Sequence, residues 1–519
     1  MSQHCHKFFK YLTQTLGILK AHIRKEGRHM KKLLAVLTLC TMFLLTACSS
    51  GYGGYEYSPD PNGDVDDSET YQEIVENPFV LTSEVATSQL SLTVNTGSYS
   101  NFRSAVNDHR FLYKDSLRVE EFINYFHYSY DDPTGDDVLG THVEVFDTPW
   151  NSDTKLMMVG MKAKSVSSEY DGNNFVFLVD VSGSMDTDNK LGLVKQSLVT
   201  LVENLDDQDT ISLVTYSSRT SVVFKGLAGE DKNQMISKIN GLRASGSTNG
   251  SDGIERAYGI AADYFIEGGN NRIILCTDGD FNFGIVERGE LEEFIIEKRA
   301  SGIYFSVFGF GYGNLQDDNL ETLARNGNGT YAYIDSELEA NRAFSSGLDG
   351  TLFTVARDAK AQITFNENQI SEYRLVGYEH GLLTEEEFDD SETDAGEIGS
   401  DLMVTVVFEI KFVESLGEEK LADLTIRYKS ANTSDDTQFE QLSDIMPSVI
   451  TGTPSEDALF ITSLIETVLI LRESDYMGDS SLASALSRIE HLPSVSDDIY
   501  KAEFVTLLEI VIQSEVTAH

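Results

Sequence analysis

"FVFLVDVSGSMDTDNK", residues 175–190, begins as an unbroken apolar run and ends in carboxylates, hydroxyls and a glycine. An apolar run without polar alternation suits a strand buried on both faces. Three comparable runs follow it: "TISLVTYSS" from residue 210, "NRIILCTDG" from 271 and "IYFSVFGFG" from 303. Between them lie stretches with helical spacing, among them "KLGLVKQSLVTLVENL" (190–205) and "SDGIERAYGIAADYFI" (251–266). Strand and helix alternating across residues 171–346 predict an α/β fold, a doubly wound, mostly parallel sheet with helices on both faces.

The text on either side changes character. Residues 76–170 carry strand-like runs such as "QLSLTVNTGSYS" and "KLMMVGMKAKS" around a short helical stretch, "RVEEFINYF". Residues 347–452 return to β alternation in "AKAQITFNENQISEYRLVGYE" and "DLMVTVVFEIKF", separated by the acidic loop "TEEEFDDSETDAGEIGS". Short strand sets rarely bury a core alone, so the two flanks are expected to pack as one β-rich domain with the α/β domain inserted between them. Residues 453–519 form a C-terminal helical region. Within it "SEDALFITSLIETVLILRE" (455–473) places Leu459, Ile461, Leu464, Ile465, Val468 and Leu469 for burial, and its lack of a basic face favours a core helix over a membrane-lying one.

With 39 basic against 84 acidic residues, net −45, the chain repels nucleic acid and anionic lipid headgroups, which excludes a nucleic-acid function. Met30-Lys31-Lys32 precedes "LLAVLTLCTMFLLTACSS", a basic start and an apolar run of signal-peptide length ending in small residues. Translation is expected to start at Met30, and residues 1–47 to be absent from the exported protein. Residues 48–75, rich in Gly, Ser, Asp and Pro, read as a flexible tether. In that tether Asp60, Asn62 and Asp64 imitate a calcium loop, but Val65 and Tyr71 stand where glycine and glutamate are needed. "LTAC", Leu45 to Cys48, resembles the lipobox of bacterial lipoproteins, which implies lipidation of Cys48 and a membrane-anchored protein of the cell envelope. Ser49 after that cysteine points to the outer membrane if the cell is Gram-negative. Of Cys5, Cys40, Cys48 and Cys276, only Cys276 then remains as a free thiol, so no intramolecular disulfide is expected.

In doubly wound sheets, ligands bind beyond the carboxyl ends of the strands. Asp180, Ser182 and Ser184 lie where the first strand ends, two residues apart, so an extended turn can aim all three side chains into one hollow, with Gly183 tightening it. Oxygen donors of this kind suit a hard cation, Mg²⁺, Mn²⁺ or Ca²⁺, and not zinc. "GSTNGSDGIERA" puts Thr248 just before a helix, and "ILCTDGDFN" puts Asp278 at the end of another central strand. Each element alone is ordinary turn and capping chemistry. Together the five resemble the metal-ion-dependent adhesion site (MIDAS) of the von Willebrand factor type A (VWA) domain: D-x-S-x-S, then a threonine, then an aspartate.

The likeness extends outside that domain. "ENPFVLTSEVATSQLSLTVNTGSYSNFRS", "RVEEFINYFHYSY", "TPWNSDTKLMMVGMKAK", "TDGDFNFG", "SEYRLVGYE", "TDAGEIGS" and "RYKS" look like successive landmarks of a bacterial family of VWA-domain lipoproteins, and they cover nearly everything after residue 70. His127 departs from that family's usual acidic residue, outside the five-residue site. The resemblance implies a VWA domain between family-specific N- and C-terminal regions. It also implies protein–protein interaction, with an acidic side chain of an unidentified partner completing the cation's coordination.

Other function classes find less support. A haloacid-dehalogenase-type phosphatase needs a second acid two residues after the first aspartate, and that position is Ser182. The chain contains no G-x-S-x-G, H-E-x-x-H or G-x-x-x-x-G-K-[ST] motif, so no catalytic residue is assigned and a metal-dependent hydrolase is the weakest reading. A structural envelope scaffold without a metal-dependent ligand is the alternative of a different class.

Overall fold

The structure is a computed structural model, and it describes residues 71–135, 137–165, 171–247, 251–279, 288–311, 317–346, 353–430 and 437–517. The inserted region contains β1 (Asn173–Asp180), β2 (Thr210–Tyr216), β3 (Ser221–Ala228), β4 (Asn270–Thr277), β5 (Tyr304–Phe310) and β6 (Tyr331–Ile334). Its helices are α1 (Leu193–Glu203), α2 (Lys232–Asn240), α3 (Ser251–Asp263), α4 (Arg288–Arg299), α5 (Asp317–Asn326) and α6 (Glu337–Asn341). The strands line up in the order β6-β5-β4-β1-β2-β3. All neighbours are parallel except β2 and β3.

Both faces of this sheet are buried, as the apolar runs require. Phe175, Phe177 and Val179 of β1 pack with Val194, Leu198 and Leu201 of α1 on one face. Val176 and Leu178 pack with Ile254, Ala257 and Ala261 of α3 on the other. Each such large side chain taken from water stabilises the fold by about 1.5–3 kcal/mol. The antiparallel edge strand β3 is not among the sequence expectations. Having one neighbour, it buries little beyond Phe224, and its apolar signal is weak.

The flanks do form one β-rich body. In one sheet Thr354–Phe365 pairs with Thr87–Ser91 on one side and Ala422–Ser430 on the other. In the other sheet Lys155–Ala163 pairs with Met403–Phe412 and Leu139–Asp147. Strands from before and after the insertion therefore pair with one another within both sheets. Met157, Val159 and Met161 join Ile363, Phe365 and Leu424 in a core between the sheets. The alternate residues Leu156 and Met158 face a second core built from helices. The period of two along a single strand thus serves two layers.

That helical core includes Glu456–Leu471, where Ile461, Leu464, Ile465, Val468 and Leu469 are buried as their spacing predicts. Leu459 is half-buried, and the neighbouring Phe460 is buried in the core instead. Ser455 caps the helix by accepting the Ala458 N–H at 3.1 Å, and its own hydroxyl donates to Glu144 at 2.7 Å. Among the described residues no helix is long and apolar enough to cross a membrane.

A buried ionic cluster ties the inserted region to its surroundings. Arg103, in the helix Gly97–Asn107, is fully buried and pairs with Asp335 just after β6, with Glu339 of α6 at 3.1 Å and with Glu503 of the C-terminal helix Ile499–Thr517 at 3.2 Å. The Tyr125 hydroxyl donates to Glu339 at 2.7 Å. Burial would raise the Glu339 pKa, but the guanidiniums of Arg342 and Arg103 outweigh it and hold the carboxyl below its usual value.

Candidate metal centre

The chain leaves β1 for β2 on one side and later returns to β4 on the other, so a crevice opens beyond the carboxyl ends of β1 and β4. Asp180 is the last residue of β1, and Asp278 follows the last residue of β4 directly. These strands are neighbours, with Val179 opposite Cys276, so topology alone brings the two aspartates to one place.

The turn after β1 is built by its own side chains. Asp180 Oδ1 accepts the backbone N–H of Ser182 at 2.7 Å, which turns the chain so that the Ser182 and Ser184 hydroxyls lie 3.0 Å apart. Backbone bonds fasten this turn to the loop before α3: Gly183 N–H donates to Gly246 O at 2.9 Å and Ser245 N–H to Val181 O at 2.7 Å. Gly183 eases that approach, since a Cβ there would make a tight contact of 3.3 Å with Gly246 O. Gly246 itself has φ +90°, a conformation that favours glycine. Ser247 is held by its N–H to the Ser218 hydroxyl at 2.9 Å. Thr248, the next residue, lies outside the described residues, as does Cys48.

Asp180 and Asp278 are both fully buried; Asp180 Oδ2 and Asp278 Oδ1 lack a well-formed hydrogen bond, although the Tyr216 hydroxyl lies beside the Asp180 carboxyl and favours its charged form. A buried carboxylate oxygen without a partner is costly, and two beside each other more so. Burial pushes the Asp180 carboxyl up to about 6, with the Asp278 charge adding to the rise and the Ser182 N–H opposing it. Two buried carboxylates next to a pair of hydroxyls are a donor set that fits a hard divalent cation. Among the described residues there is no group of three or more His, Cys, Asp or Glu side chains arranged for a metal.

One participant escaped the sequence reading. Lys190 Nζ lies 2.9 Å from Asp278 Oδ2, the oxygen that is not orphaned. A lysine just ahead of a helix sits where the helix dipole mildly disfavours a cation, and the Asp278 carboxylate offsets that here, but nothing in the sequence names the partner. Cys276, in β4 beneath the site, is buried and its thiol is pushed up by burial, which leaves it an inert core side chain.

Comparison with known proteins agrees with this architecture. The family model described as von Willebrand factor type A domain matches residues 174–346. One described as von Willebrand factor matches residues 65–158, and one described as uncharacterized protein YfbK, C-terminal, matches residues 350–513. The chain is 34% identical over 466 residues to the uncharacterized protein YfbK of Escherichia coli (strain K12), covering 85% of this chain and 80% of that protein. Among solved structures it is similar to a von Willebrand factor type A protein from Catenulispora acidiphila, with 15% identity, TM-score 0.38 and coverage of 70% of this chain and 88% of that one. It is also similar to the ArnB paralog VWA2 from Sulfolobus acidocaldarius, with 14% identity, TM-score 0.31 and coverage of 73% and 98%.

Proposed function

We propose that this chain, which belongs to the family of von Willebrand factor type A domain proteins that includes YfbK, binds a protein partner through a divalent cation held at the carboxyl ends of β1 and β4. The observation that carries this reading is the pair of buried carboxylates on Asp180 and Asp278, each with an oxygen that lacks a well-formed hydrogen bond. Asp180, Ser182, Ser184, Thr248 and Asp278 would hold the ion, with Mg²⁺ the first candidate and Mn²⁺ or Ca²⁺ next. Only two of these five donors carry charge, so a bound ion would keep attraction for an external carboxylate. The acidic surface repels an acidic partner everywhere else, which makes the metal the place where a partner's Asp or Glu gains.

The VWA domain suggests adhesion or protein–protein interaction, and nothing in the site's chemistry calls for catalysis. Lipidation at Cys48 would display this domain from the surface of an envelope membrane on the tether of residues 48–75. The competing scaffold reading makes a distinct forecast. Capture of envelope proteins on the immobilised protein should lose its partner when a chelator replaces Mg²⁺; a partner retained under chelation would favour the scaffold.

A further inference from the structure

Lys190 stands in a single π-helical turn, Asp188–Gly192, that leads into α1. Its ammonium pairs with Asp278 at 2.9 Å, its side chain 12% exposed and that of Asp278 fully buried. The aliphatic stem is laid across the backbone of Gly311, just beyond β5: a Cβ on Gly311 would fall 2.5 Å from Lys190 Cγ and 2.8 Å from Cε. Gly311 has φ +75°, so both its conformation and the missing Cβ make the channel along which the lysine reaches the site. The lysine thus enters from the α1 side, over the end of β5, and neutralises one of two buried carboxylates.

We propose that Lys190 and a divalent cation compete for Asp278, so that the lysine is the site's resident counter-charge and must swing toward solvent when metal binds. The inference rests on the metal reading given above. Two adjacent buried carboxylates repel each other, and the one ammonium at 2.9 Å from Asp278 offsets part of that repulsion. A dication offsets all of it, and keeping the ammonium as well would leave an excess positive charge in a buried place. Mutual exclusion is reciprocal, so the lysine weakens metal binding by the same factor by which metal weakens the lysine's hold. Lys190 thereby sets the cation concentration at which the site loads. Its partly exposed position gives the ammonium a short route to water.

The test is Mn²⁺ titration calorimetry on full-length protein, comparing wild type with Lys190→Met and Lys190→Arg. Lys190→Met should bind Mn²⁺ about tenfold tighter or more, with Lys190→Arg near wild type. Equal or weaker binding by Lys190→Met would overturn the competition while leaving the metal reading in place. Absence of Mn²⁺ binding from wild type and variants alike would overturn the metal reading, and this inference with it. A second measurement needs no variant: acetylation of Lys190 in the wild type, read by mass spectrometry, should rise several-fold when Mg²⁺ replaces chelator. Unchanged labelling of Lys190, with Mg²⁺ binding established, would contradict its release.

Discussion

Asp180 and Asp278 stand at the ends of neighbouring strands, both are buried, and each keeps one oxygen without a well-formed hydrogen bond. A fold does not gain stability from that arrangement, because a buried acceptor left unpaired costs about 1–3 kcal/mol. The cost is understandable if those oxygens serve a cation, as proposed, in the crevice beyond the carboxyl ends of the strands.

Anchoring is open to direct labelling. Cells given a fatty-acid analogue should incorporate it into the wild-type protein and not into Cys48→Ser. Label that persists in the variant would move the anchor elsewhere or remove it.

The buried cluster around Arg103 should be costly to break. Arg103→Met strands Glu339 and Asp335 with fewer cationic partners, and loss of one member of a buried pair costs about 3–5 kcal/mol. Its thermal midpoint should fall by several degrees, and Arg103→Lys, which restores charge without the planar fork, should recover only part of the loss. A midpoint unchanged in Arg103→Met would show that the cluster does not contribute.

Glu120 gives stability a pH dependence with a definite sign. Burial, followed by the charges of Glu379 and Glu121, pushes its carboxyl up to about 8, while its Oε2 accepts the Tyr378 N–H at 2.9 Å. A carboxyl whose folded pKa lies above its unfolded value stabilises fully below the unfolded value, and that contribution fades as pH rises through about 8. Glu120→Gln should therefore flatten the decline in thermal midpoint between about pH 5 and about pH 9. Equal declines in wild type and Glu120→Gln would count against this assignment.

Limited proteolysis should separate the insertion from its frame. A cut within the α/β region should leave the flanks associated, since Thr354–Phe365 holds Thr87–Ser91 and Ala422–Ser430 at once. Flanks that elute as two folded pieces would contradict the shared sheets.

The α/β core was legible because β1, β2, β4 and β5 are buried on both faces, so their sequences are mostly apolar, with only a few buried polar residues such as Ser212, Arg272 and Ser306. The edge strand β3 was not, because a strand half open to solvent carries polar and charged residues such as Lys225. Of the site, Asp180, Ser182, Ser184 and Asp278 could be read from their positions at strand ends. Lys190 could not be read as their neighbour, since its meeting with Asp278 depends on the π turn and on the bare backbone of Gly311, neither of which has a periodic signature. The joining of the flanks followed from the size of their strand sets, but the pairing partners are separated by more than two hundred residues in sequence and left no local trace.

The central claim is tested most directly by calorimetric titration of Mg²⁺ and Mn²⁺ into wild type and Asp180→Ala. Removing this carboxylate deletes the bond to the Ser182 N–H, worth about 1 kcal/mol, but also relieves a buried charge beside Asp278, so the fold should change little. Wild type should bind one divalent cation and Asp180→Ala none, at matched thermal midpoints without metal. Equal binding by both proteins would contradict the account and reduce the oxygens beyond β1 to turn and cap chemistry.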